Sequence, residues 1–329
     1  MKNFVFHIRS FFRMLRRVII NGIILQGYNK KTPDTIIIEP TNICNLRCSC
    51  CPHGTNPEES RPHGFLTTEA FDKILNNIDV DVRKICLYLH GEPFLNKKLD
   101  YFIEQISKKG ITSLIYSNGY NIDTGLLEKV LAYKRTKFHF SADILSKEHF
   151  ESIRKPASYE AMLNNLDIIN NLFGKHNRKF EIISLISSKD IENIRDISKE
   201  IFRRYDRLIK IIFGSRFPWP RYIQTGGELE QRLSKKRAFC NQIQNTVSIY
   251  WNGDCSLCSH DFSGKLIVGN MLENKLSALY NSKKIRKIRK LHYFQLYKKI
   301  PLCNRCVLPR YKSSIYNIKR TDILNNEKI

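Results

Sequence analysis

Glu39-Pro40-Thr41-Asn42-Ile43-Cys44-Asn45-Leu46-Arg47-Cys48-Ser49-Cys50-Cys51 is the stretch on which the reading of this chain turns. It follows a β-type run, Thr35–Glu39, and sets Cys44, Cys48 and Cys51 at the spacing CxxxCxxC on one short loop. Cysteine thiolates are the usual iron–sulfur ligands, so three from one loop suit three irons of a 4Fe–4S cube and leave the fourth iron open. A structural zinc site would take four ligands and close itself. His53 can complete such a set, and Cys50 offers an exchange of ligand, so the spacing alone leaves both readings open.

The rest of the chain narrows the choice. Its ten cysteines stand at 44, 48, 50, 51, 86, 240, 255, 258, 303 and 306. They form an early and a late group, which suits metal ligation in a reducing cytoplasm better than a disulfide framework. Cys86, inside an apolar run, reads as a buried core thiol. Of 329 residues 42% are hydrophobic and 26% charged, as in ordinary globular proteins. No run approaches the ~18–20 apolar residues of a membrane span.

The net charge of +24 is extreme. Part of it lies in residues 1–33, where Phe4, Ile8, Phe11, Leu15 and Val18 recur at helical spacing among Arg9, Arg13, Arg16 and Arg17. This basic amphipathic helix can dock on the body, rest on an anionic membrane at its cytoplasmic face, or serve as a transit peptide. The run Lys283, Lys284, Arg286, Lys287, Arg289 and Lys290 reads as a solvated helix face, not as a nucleic-acid footprint.

From Asp34 to Phe213 short apolar runs alternate with amphipathic ones. Strands are expected at Thr35–Glu39, Lys84–Leu89, Thr112–Ser117, Lys137–Ser141, Lys179–Ser184 and Leu208–Phe213. Helices are expected near Thr67–Asn77, Leu99–Lys109, Thr124–Ala132, Tyr159–Phe173 and Ile191–Arg204. This alternation implies βαβ units and a parallel sheet covered by helices. In such folds the chemistry collects at the C-terminal strand ends, where the first cysteine loop lies. Phe217-Pro218-Trp219-Pro220 and Gly226-Gly227 read as a linker, followed by a short helix near Leu229–Arg237. A hairpin is expected from Val247–Trp251, turning at Asn252-Gly253, with both turn residues at positive φ. The polar C-terminus after Ile318 is expected to fray.

The segment from Glu39 to Cys48 resembles the first loop of the radical S-adenosylmethionine (SAM) superfamily, and His90-Gly91-Glu92-Pro93 resembles that family's GGEP segment. Ser117-Asn118-Gly119 and Ser141-Ala142-Asp143, at the ends of the third and fourth strands, are similar to family positions near the SAM carboxylate and ribose. The resemblance implies that Cys44, Cys48 and Cys51 hold a 4Fe–4S cluster whose open iron chelates SAM. It implies SAM-contact roles for Gly91, Glu92, Pro93, Ser117, Asn118, Ser141 and Asp143. Reductive cleavage of SAM would then give a 5′-deoxyadenosyl radical that abstracts hydrogen from the substrate. Two residues depart from the pattern: Cys50 stands where an aromatic residue or Met is common, and His90 replaces a glycine.

The late group resembles a SPASM domain, the auxiliary-cluster module of many such enzymes. Cys240, Gly253 and Cys258 match its opening, and Cys303 and Cys306 end it as CxxC. With no cysteine after Cys306, the resemblance implies a module reduced to one auxiliary 4Fe–4S cluster on Cys240, Cys258, Cys303 and Cys306. Four thiolates suit zinc equally well, and Cys255 can stand in for Cys258.

The implied architecture is an α/β fold: a partial (β/α)6, TIM-like barrel at 34–225 and a small cysteine-rich SPASM- or twitch-like domain at 226–318. The extension 1–33 and a polar tail, 319–329, flank them. The expected function is radical oxidation or dehydrogenation of a carbohydrate-type or glycan-linked substrate, fed by flavodoxin or ferredoxin. A peptide-modifying maturase is the alternative within that chemistry. A non-catalytic iron–sulfur or zinc protein that binds an acidic partner is the alternative outside it.

Overall fold

A computed structural model describes residues 32–186, 192–215, 234, 238–310 and 315–324. The expected N-terminal helix, the Phe217–Gly227 linker and, Ser234 apart, the helix near Leu229–Arg237 lie outside these residues. No helix among the described residues is long and apolar enough to cross a membrane.

Six parallel strands follow one another in chain order: β1 (Thr35–Ile38), β2 (Lys84–Leu87), β3 (Thr112–Ser117), β4 (Thr136–Ser141), β5 (Phe180–Ile186) and β6 (Leu208–Ser215). A one-turn helix, α1 (Pro52–Thr55), follows the cysteine loop. The crossovers carry α2 (Thr68–Asn77), α3 (Leu99–Lys108), α4 (Thr124–Leu131), α5 (Lys147–Ile153), α6 (Tyr159–Lys175) and α7 (Ile194–Arg204). Thr67, Asp123, Ser146 and Ser158 cap α2, α4, α5 and α6 by accepting a backbone N–H three residues on.

The two faces of the sheet differ. Ile36, Ile38, Ile85, Leu87, Ile115, Phe138, Phe140, Ile182, Ile211 and Phe213 are buried in the main core. Phe140, Phe173 and Phe180 meet there edge to face, with centroids 5.1–5.9 Å apart. The alternate residues Ile37, Cys86 and Leu114 form a separate small cluster on the concave face. Cys86 is thus buried as expected, and its burial pushes the thiol up to about 11.

The late segment extends this sheet. After α8 (Asn241–Asn245), β7 (Thr246–Ile249) pairs parallel with β1, and β8 (Asp254–Ser256) and β9 (Ile267–Asn270) continue it antiparallel. The hairpin turn differs in detail from expectation. Gly253 alone is left-handed, at φ +85, while Asn252 hydrogen-bonds Asp254. Helices α9 (Leu276–Tyr280) and α10 (Lys283–Tyr293) follow.

Two further expectations fail. Arg289 is not solvated: it is buried, its guanidinium stacks 4.0 Å over Tyr280 and donates to the carbonyls of Ile243 and Tyr280. The tail after Ile318 is not frayed at its start. β10 (Ile315–Lys319) pairs antiparallel with β6, and α11 (Arg320–Leu324) packs behind it with Ile318 and Ile323 buried. The full order is β10-β6-β5-β4-β3-β2-β1-β7-β8-β9, an unclosed barrel-like sheet.

Candidate active site

The loop after β1 is pinned from several sides. Leu46 is buried, and the backbone N–H groups of Arg47 and Ser49 donate to Lys155 and Ile153 at the end of α5. Asn45 donates to the Tyr120 carbonyl at 2.8 Å, and Asn118 donates to Asn45 at 2.7 Å and lies 3.9 Å from the Cys44 sulfur. Cys48 is buried, and Cys44, Cys50 and Cys51 are half-buried. Burial pushes the Cys44 thiol up to about 11 and raises Cys48; Cys51 is raised further by burial and by Cys48, Cys50 and Cys44 beside it. Burial raises Cys86 and Cys255 as well, so it is the crowding of these thiols on one loop that suits them to share a metal group, whose binding would displace their protons. Among the described residues no three His, Cys, Asp or Glu side chains are arranged for a single metal ion. A cube asks for a wider set, since each thiolate meets its own iron. His53 does not complete the set: its Nε2 donates to the His90 carbonyl.

Gly91 lies where backbone crosses backbone. A Cβ there would stand 2.3 Å from the Thr41 carbonyl oxygen and 2.6 Å from that of Ile43. Glu92 is buried and fully engaged, accepting from Ser117 Oγ and the N–H of Asn118 at 2.8 Å and from the N–H of Phe94 at 3.2 Å. Burial raises its pKa against those bonds. Pro93 then opens a buried 3₁₀ turn. Glu92, Ser117 and Asn118 therefore form one braced group that ends at Cys44.

Ser141 and Asp143 form a second group around Arg154, which the sequence reading missed. Arg154 is buried, donating to Asp143 at 2.7 Å and to Ser141 Oγ at 2.8 Å, with Nη1 3.8 Å from the Cys48 sulfur. Burial opposes its charge, but Asp143 and the nearby thiols Cys48 and Cys50 raise its pKa and keep it a cation.

The late cysteines meet too. Cys258 is pushed well up by burial and by its neighbours Cys240, Cys306 and Cys303. Cys255 is buried apart from them, its thiol against the Gly253 carbonyl. His292 of α10 stands 3.3 Å from the Cys303 sulfur, a contact with no local signal in the sequence.

A buried seam joins the two cysteine regions. Glu39 accepts from Arg61 at 2.7 and 3.0 Å and from the Trp251 N–H at 3.2 Å. Arg61 lies 3.6 Å over the Tyr250 ring and donates to the Phe262 carbonyl. His90 Nε2 faces the Ser259 carbonyl at 3.1 Å, so this nitrogen carries the proton. Burial alone would raise the Glu39 carboxyl, but His90 and Arg61 hold it at about 2.

With this geometry in hand, the family models decide the identity: the Radical SAM superfamily model matches residues 38–201. The chain belongs to the radical SAM superfamily. An iron–sulfur cluster-binding domain of the SPASM type matches residues 240–307. The chain is thus a radical SAM enzyme with a SPASM domain, and SAM, a 4Fe–4S cluster and auxiliary iron–sulfur ligation come with that membership. GTP 3′,8-cyclase of Peptoclostridium acidaminophilum is 23% identical over 242 residues, 70% of this chain and 72% of that one. Among solved structures, Streptococcus suis SuiB matches with TM-score 0.64 at 14% identity, covering 85% of this chain and 73% of SuiB. Native anSMEcpe with bound AdoMet gives 0.60 at 16%, covering 84% and 90%. BtrN in complex with AdoMet and 2-DOIA gives 0.54 at 17%, covering 83% and 92%. These likenesses bear out the partial barrel with its C-terminal domain.

Proposed function

We propose that this radical SAM enzyme takes hydrogen from a carbohydrate-type or glycan-linked small molecule in a net oxidation, receiving its reducing electron from flavodoxin or ferredoxin. Cys44, Cys48 and Cys51 hold the SAM-accepting 4Fe–4S cluster, and Cys240, Cys258, Cys303 and Cys306 an auxiliary one. When bound, the first cluster with SAM supplies a hydrogen-abstracting radical, and the second an electron acceptor.

The observation that carries this reading is the pairing of an incomplete three-thiol set with a four-thiol set on one sheet. Glu92 and Ser117 fix the end of β3 so that Asn118 reaches the Cys44 sulfur. Asp143 and Ser141 hold the Arg154 cation beside Cys48. A SAM carboxylate would find a cation and an amide there. The likeness to BtrN, held with 2-DOIA, over most of both chains supports a small-molecule substrate.

The test is deuterium transfer. A ring-deuterated carbohydrate substrate is expected to place deuterium in 5′-deoxyadenosine and to yield a carbonyl product. Transfer from a deuterated peptide, with none from any carbohydrate, would replace this reading with the peptide-modifying one.

A further inference from the structure

The concave face of the sheet carries a row of side chains that neither cysteine site uses. Strand register sets Tyr116 beside His139, His139 beside Glu181, and Glu181 beside Lys210, so one row crosses β3, β4, β5 and β6. Tyr88, just past β2, extends it: its ring lies 4.5 Å from that of Tyr116, which stacks on His139 at 4.6 Å. Lys210 Nζ pairs with Glu181 Oε2 at 2.7 Å, and His139 Nδ1 stands 3.8 Å from the same oxygen with no hydrogen-bond partner. The His139, Glu181 and Lys210 side chains are 12, 20 and 26% exposed, whereas Phe138, Phe140, Phe180, Ile182 and Ile211 next to them in sequence are sealed.

The row sits in a telling place. Ser141 lies two residues beyond His139 on the same face of β4 and binds Arg154, which reaches Cys48. The row is therefore one strand repeat, about 6.5 Å, below the layer that meets the cluster loop. Under it the Ile37, Cys86 and Leu114 cluster closes the floor. Barrel interiors are ordinarily filled by bulky branched side chains. A partly buried ion pair there gains little over apolar packing. Stability does not explain the row.

Its chemistry points to a ligand class. Tyr116 stacks on His139 at 28° and Tyr88 tilts 55° from Tyr116, so the three rings stand as a stacked apolar flank, edge-on along the row, against which the C–H groups of a saturated ring can pack. Burial keeps His139 below its usual range against the pull of Glu181, and pushes Tyr116 up to about 12, so both are neutral at pH 7. Glu181 accepts and Lys210 donates, with net charge near zero between them. A hydroxyl group can answer both. A triphosphate would ask for cations not already paired. Lys137, in the layer of Leu114, is exposed and lies farther from the cluster loop.

We propose that Tyr88, Tyr116, His139, Glu181 and Lys210 form the substrate-orienting surface, and that it selects a small, uncharged, polyhydroxylated ring. This rests on the radical SAM reading above and names the substrate class of that site. The test uses the iron-loaded protein with SAM and saturation-transfer NMR against myo-inositol, glucose, glucose 6-phosphate, GTP and a serine-containing peptide. Ring protons of myo-inositol or glucose are expected to receive saturation. Their affinity should fall about tenfold in Glu181→Gln and in Lys210→Met, the effect of losing one charge-assisted hydrogen bond. Iron content equal to wild type certifies that each variant is folded. No polyol binding to iron-loaded wild type, or polyol binding unchanged in both variants, overturns the proposal. Row-dependent binding of only GTP, the phosphosugar or the peptide overturns it as well. Failure to load iron would instead count against the radical SAM reading, which keeps the two failures distinct.

Discussion

Cys44, Cys48 and Cys51 come from eight residues of one loop, whereas Cys240, Cys258, Cys303 and Cys306 come from three segments that meet only after β7–β9 and α10 have packed. The local group needs distant parts only to hold its shape: α5 through Arg47 and Ser49, β3 through Asn118, and Arg154 beside Cys48. On the proposed reading, the ligation of the assembled group itself ties its three segments together. A site that must accept a ligand is built on a braced loop, and a site that must stay closed staples chain ends.

This contrast can be broken most directly by removing one thiol from each group. Cys258→Ala should lower the melting temperature of the iron-loaded protein by on the order of 10 °C, because metal binding at an assembled site is folding energy. Cys48→Ala should cost clearly less while abolishing SAM cleavage. Equal thermal shifts would remove the distinction.

The seam between the groups gives the next largest effect. Glu39→Gln leaves the Arg61 charge buried without its partner and is expected to cost about 3–5 kcal/mol in urea unfolding. The pH dependence has a definite sign. The folded-state pKa of Glu39 is depressed from 4.5 to about 2. Its stabilisation, about 3 kcal/mol, is therefore complete above pH 4.5 and is lost as pH falls toward 2. Acid unfolding of Glu39→Gln should be correspondingly flatter in that window; a parallel slope would contradict the assignment.

Gly91→Ala should cost about 1–3 kcal/mol by pushing Thr41 and Ile43 apart. It should loosen the first group and spare the second, read as loss of about half the bound iron.

The order of β1–β6 and five of their six crossover helices was legible because both-face burial writes apolar runs and the covering helices write amphipathic ones; α5 (Lys147–Ile153) was too short to leave such a pattern. The first cysteine group was legible because its spacing is local. Arg154 was not, since 106 residues separate it from Cys48. Ser141 and Asp143 gave the place but not the partner. Arg289 misled because a basic helix run gives no sign of which member turns inward onto Tyr280. β10 was missed because it is a short edge strand in polar sequence, held by pairing with β6 and by the one buried side chain of Ile318.

The central claim is that the local group is the incomplete one. Anaerobic reconstitution followed by reduction with SAM tests it. The account predicts about eight irons per chain and 5′-deoxyadenosine formation that disappears with Cys44→Ala, Cys48→Ala or Cys51→Ala, each variant keeping about four irons at the late group. Bound zinc in place of iron, or deoxyadenosine formation that survives all three substitutions, would contradict it.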